Sequence, residues 1–146
     1  MQQLKKLFQL LKPYLVLIFL EGLFYTTISF LEHYRSSNED ISLFGIVYAF
    51  FCCMGIGMIS FMLSAITYFK IINLFDSFVN KFYKLLFIIF LTAVYIYLFI
   101  YALTEIMDIA GLLGDLFLPL LIGSSLGICT YHYFINPETR IIFKEN

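Results

Sequence analysis

Charge is what this sequence has least of. Asp, Glu, Lys and Arg make up 13% of its 146 residues, while hydrophobic residues make up 62%, against roughly a quarter and roughly half in an average soluble domain. So little polar surface cannot coat a water-soluble globule, and the composition points to lipid as the solvent. The length leaves room for one domain, built of helices and short connections. Nine basic residues nearly balance ten acidic ones, and no basic tract has the clustering that nucleic acid demands, which weighs against nucleic acid as a partner. Cysteine is sparse too. Cys52, Cys53 and Cys129 all sit inside apolar stretches, where small thiols are ordinary packing residues that say little about redox compartment. No P-loop, G-x-S-x-G, H-E-x-x-H or dinucleotide fingerprint occurs, so neither an enzyme nor a cofactor is expected.

What the sequence does have is long uncharged runs. Residues 41–69, 85–104 and 116–137 carry no Asp, Glu, Lys or Arg, and 13–31 carries only Glu21. A helix needs ~20 apolar residues to cross a bilayer core, and backbone groups in lipid must be paired internally. The expectation is an all-α integral membrane four-helix bundle with helices near 14–31, 43–69, 85–104 and 116–135, and with amphipathic cytoplasmic segments at 1–12, 70–84 and 137–146. The first run is too long for a signal peptide and ends in Leu31-Glu32-His33-Tyr34 instead of a small-residue cleavage site. Every Lys and Arg except Arg35 falls in the N-terminal tail (Lys5, Lys6, Lys12), the 70–84 connection (Lys70, Lys81, Lys84) or the C-terminal tail (Arg140, Lys144). The positive-inside rule therefore puts both termini in the cytoplasm, and the expected location is a bacterial cytoplasmic membrane.

Small residues mark the faces on which helices in lipid approach closely. Helix 2 carries Gly45, Ala49, Cys53 and Gly57 at four-residue spacing, continued by Ser60 and Ser64; helix 4 carries Gly123 and Gly127 beside Ser124 and Ser125. Helices 2 and 4 are thus expected to make the tightest contact, within one chain or between copies of a homo-oligomer. Helix 3 is bulky nearly all round and is expected to face lipid. Pro119 is placed in the first turn of helix 4, where its missing N–H costs little, and Asn136-Pro137 looks like the cap of a short C-terminal helix.

Residues 70–84 alternate at helical period, with Ile71, Ile72, Phe75, Phe78, Val79 and Phe82 opposite Asn73, Asp76, Asn80, Lys81 and Lys84. Helices 2 and 3 running on past the bilayer would account for this. The sharper reading is a docking surface for a cytoplasmic protein, made by Phe75, Phe78, Phe82, Lys81 and Lys84. The N-terminal segment repeats the theme with Leu4, Leu7, Phe8 and Leu11 on one face.

Glu21 demands its own explanation. It lies about 10 Å into helix 1 at 1.5 Å per residue, where a carboxylate costs on the order of 3 kcal/mol, and no Lys or Arg lies in any span to neutralise it. Ser60, Ser64, Thr92, Tyr95, Ser124 and Ser125 occur at matching depth, and Tyr25 and Ser29 extend the face of Glu21 by i+4 steps. Glu21 is expected to face the bundle or an oligomer axis, protonated or hydrogen-bonded, as an ion or proton site or as interhelical glue. Cys129 and His132 are spaced i,i+3 on helix 4 and Cys52 and Cys53 are adjacent on helix 2, but Cys53 and Cys129 lie at depths too different to converge on a metal; His132 is assigned to the interfacial aromatic belt and His33 to a solvated loop.

Three functions fit: an oligomeric membrane anchor or sensor for a cytoplasmic partner, a small channel or exporter using Glu21, and protection against a membrane-active toxin. In general form (four helices, cytoplasmic tails, a chain rich in Phe and Ile) the protein resembles the immunity proteins of pore-forming bacteriocins and the small membrane subunits of bacterial antiphage systems such as Kiwa. The likeness is one of architecture; it implies a defence role beside a soluble effector.

Overall fold

The computed structural model describes residues 1–37, 42–74, 81–108 and 111–136. Among these residues four α-helices run in order: α1 (Gln2–Ser37), α2 (Leu43–Leu74), α3 (Lys81–Met107) and α4 (Leu112–Thr130), the last continuing into a π-helical turn over Tyr131–Ile135. All four are long and apolar enough to cross a membrane, as expected of a multi-pass membrane protein.

Several boundaries differ from expectation for local reasons. The N-terminal amphipathic segment is no separate helix. It is the first part of α1, which passes unbroken through Pro13, where the Gln9 carbonyl loses its amide partner. Leu4, Leu7, Phe8 and Leu11 stay exposed along it. α2 runs on to Leu74 and α3 begins at Lys81; Phe75, Phe78 and the 137–146 segment lie outside the described residues. α4 starts earlier than expected because Gly111 caps it in the left-handed region, at φ 90, which glycine adopts without the Cβ clash. Pro119 therefore lies more than a turn inside α4, not in its first turn, and deprives the Asp115 carbonyl of an amide partner. Asp115 itself does occupy the first turn, where a carboxylate suits the helix dipole.

The packing corrects the expected helix pairing. α1 packs against both α2 and α4, α3 packs against the same two, and α2 meets α4 only narrowly. Gly123 and Gly127 of α4 face α1. A Cβ at Gly123 would come within 2.8 Å of the Tyr25 Cα and N, and one at Gly127 within 2.8 Å of the Glu21 Cα and N. Close backbone approach is the usual service of a GxxxG pair, and here it is used within the chain, on α1. On α2, Gly57 is buried beside Phe61 and Leu120, while Gly45 and Ala49 remain partly exposed; the Cys53 side chain is outside the described set.

α3 turns one stripe inward, Ile88, Thr92, Ile96 and Ile100 at four-residue spacing, and leaves Phe90, Leu98 and Tyr101 exposed. The whole assembly has this character: Glu21, Ser60, Ser64, Thr92, Ser124 and His132 are buried while Leu, Ile and Phe line the outside. The interior is still mainly apolar, with Leu17, Phe61, Ile88 and Leu120 at its centre, but so many large apolar side chains on the outside exceed the scattered few of a soluble domain and suit a lipid surround.

Candidate functional site: a polar seam in the helix interior

Glu21 is fully buried, and the Ser64 hydroxyl donates a hydrogen bond to its Oε1. Its Oε2 has no hydrogen-bond partner among the described residues. Gly127 makes room for this side chain, because a Cβ there would come within 2.6 Å of the Glu21 Cγ. The carboxyl thus faces the interior of its own chain and not an oligomer axis.

Among the described residues two more buried oxygens lack partners, Ser60 Oγ and Ser124 Oγ. Ser60 sits one turn before Ser64 on the same face of α2, next to Phe61, whose ring lies 6.0 Å from that of Tyr25. Ser124 adjoins Gly123, which rests on the Tyr25 backbone. Both hydroxyls therefore lie near the level of Tyr25, one turn along from the Glu21–Ser64 pair. Buried polar groups are nearly always satisfied, so three unpartnered oxygens from three helices within about a turn of each other mark this level of the interior as unusual.

The seam continues the other way. Four residues beyond Ser64 lies Tyr68, also fully buried; its hydroxyl is 2.9 Å from His132 Nδ1 and accepts a 3.3 Å hydrogen bond from Asn136 Nδ2. His132 is only 3% exposed, which overturns its assignment to the interfacial belt. It stands in the π-helical turn, closed by a 2.8 Å bond from the Asn136 N–H to the Tyr131 carbonyl; such turns are frequent at functional sites. Tyr14, Phe69 and Tyr131 wrap this end, with Tyr14–Phe69 and Phe69–Tyr131 centroids 4.5 and 5.5 Å apart.

Of the polar residues read from the sequence, the fold brings together Glu21, Ser60, Ser64, Tyr25 and Ser124. It does not include Ser29, which lines an open polar cleft with Glu32, His33 and Asp115 at the far end of α1. Tyr95 is only partly buried, on the flank of the inward stripe of α3. Of the docking residues, Phe82 is exposed and Lys84 partly so; the Lys81 side chain is outside the described set. Sequence reasoning missed Tyr68 and His132. The signal for Tyr68 was present, since it extends the Ser60–Ser64 series by one more i+4 step; the aromatic neighbours of His132 hid its inward direction.

No protein family matches the chain, nor does any curated protein or solved structure. Function must therefore be argued from the seam itself. Its chemistry is that of proton-bearing groups in sequence, carboxyl, hydroxyl, phenol and imidazole, each on an inward face and shielded from water.

Proposed function

We propose that this chain is a non-enzymatic subunit of the bacterial cytoplasmic membrane, a four-helix bundle with both termini cytoplasmic, which takes up and releases a proton at Glu21 and reports that state to a cytoplasmic protein partner. The observation that carries the reading is the buried Glu21 carboxyl with one oxygen held by Ser64 and the other unpartnered. A carboxyl serving only to tie helices would have both oxygens satisfied. The seam supports a sensor over a conductor because it is one-sided. Toward Asn136 it runs through Ser64 to the Tyr68–His132 contact, whereas on the other side of Glu21 the Ser60 and Ser124 hydroxyls have no hydrogen-bond partner among the described residues and lie among the buried Tyr25, Phe61 and Leu120. The exposed Leu4, Leu7, Phe8 and Phe82 near the lysine-rich ends supply a surface for the partner.

Difference infrared spectroscopy of the reconstituted protein tests the proton site. A protonated-carboxyl stretching band should change across the physiological pH range in the wild type and vanish in Glu21→Gln, which keeps the side-chain shape and a partner for Ser64. An unchanging band would reduce Glu21 to a structural contact. Proteoliposomes should show no proton flux under a gradient; flux abolished by Glu21→Gln would replace the sensor with a channel or exporter. Polar substitutions at Phe75 and Phe78 should abolish co-purification of the partner while leaving membrane insertion intact.

A further inference from the structure

A second feature lies on the outer surface, independent of Glu21. Between α1 and α2 runs a groove of about 390 Å³ whose walls include Leu11, Leu15 and Ile18 from α1 and Met58, Met62 and Ile66 from α2. Both sets follow helical spacing, so each occupies a single face, and both lie in segments apolar enough to cross a membrane. The groove changes character at one end. The next i+4 step of the α2 series after Ile66 is Lys70, and on α1 Lys12 stands one turn before Leu15; both lysines are exposed. The Tyr14–Phe69 ring contact, with centroids 4.5 Å apart, holds the two lysine-bearing segments side by side. No carboxylate among the described residues pairs with either lysine.

We propose that this groove holds an acyl chain of an anionic phospholipid whose phosphate is bound by Lys12 and Lys70. The apolar walls select a hydrocarbon chain, and the two methionines adapt to its bends because the thioether side chain is unbranched and polarizable. The lysines select the head group, since basic sites between helices near the membrane surface favour anionic lipids. The chain and the phosphate are joined in one molecule, as the groove and its basic end are joined in one surface.

The test uses the full chain in nanodiscs that mix phosphatidylglycerol with phosphatidylcholine, and native mass spectrometry then identifies the lipid retained. Wild type should keep phosphatidylglycerol in preference, by about fivefold for each lysine and about thirtyfold for the pair. The double variant Lys12→Gln/Lys70→Gln should retain both lipids equally, and Met62→Trp, which fills the groove from an exposed position, should lower retention of either. Lys6→Gln, on a residue the helical period turns away from Leu11, should leave the preference intact. The proposal is overturned if the wild type shows no preference, if the preference survives the double lysine variant, or if Lys6→Gln reduces it as much.

Discussion

Gly127→Ala should force α1 and α4 apart. The added methyl would meet the Glu21 Cα and N at 2.8 Å and its Cγ at 2.6 Å, and backbone on a packed helix has nowhere to retreat. Overpacking of this kind costs about 1–3 kcal/mol, more than the roughly 1 kcal/mol that alanine contributes over glycine inside a helix. Gly123→Ala meets the Tyr25 backbone in the same way, and the double variant should lose about twice as much. Loss of helical circular dichroism as dodecyl sulfate is titrated into mixed micelles reads the effect. Gly55→Ala supplies the control, since nothing lies within 4 Å of its added methyl; it should unfold no earlier than the wild type. Equal behaviour of Gly55→Ala and Gly127→Ala would show that the α1–α4 contact is not close in the membrane.

Glu21→Met should have an effect of similar size and opposite sign. Removing a carboxyl from the apolar interior recovers about 2.5–3.5 kcal/mol on insertion scales, and the lost hydrogen bond takes back about 1 kcal/mol. The freed Ser64 hydroxyl can turn to the carbonyl four residues earlier, as Thr26, Thr67, Thr92 and Ser125 already do. Methionine is the right replacement because it is unbranched at Cγ, the atom for which Gly127 leaves room; leucine would branch there and strike α4. The variant should resist dodecyl sulfate better by about 2 kcal/mol while losing the pH-dependent infrared band. A stability gain with loss of response is what a functional carboxyl predicts; a large loss of stability would make the bond to Ser64 the reason Glu21 is present.

The spans and the inward direction of Glu21 were legible because both derive from strong single-residue costs. A charge or an open backbone in hydrocarbon is expensive wherever it falls, so uncharged runs delimit helices without knowledge of their neighbours. Which helices pair is not of this kind. Gly123 and Gly127 announce that one face of α4 is thin, but the face of α1 that receives them carries Glu21 and Tyr25 and has no small-residue pattern of its own. Matching the small face of α2 to that of α4 was therefore a natural inference, and α1 displaced it by laying its backbone directly on the glycines. The start of α4 escaped notice because Asp115 reads as a boundary in a charge count, whereas that start is set by the left-handed Gly111. His132 continues the inward series Leu120, Ser124 and Ile128 at four-residue spacing and escaped because Tyr131 and Tyr133 beside it read as an interfacial belt; the chain departs from a regular α-helix just there.

That departure has a meaning for how the chain tolerates changes in length. A π-helical turn holds one residue more than the α-helical turn it replaces, so Tyr131–Ile135 acts as a slack link at the end of α4. Deleting Phe134, which is 70% exposed, should take up that slack and let the end of the helix close with ordinary four-residue bonds, with membrane insertion and dodecyl sulfate resistance close to wild type. The same deletion made between Leu120 and Gly123 would turn one part of α4 against the other by about 100°, and glycines and Ser124 could no longer face α1 and the interior together with the residues before them. Length is rigidly set along the part of α4 that touches Glu21, and a spare residue is kept where the helix leaves it.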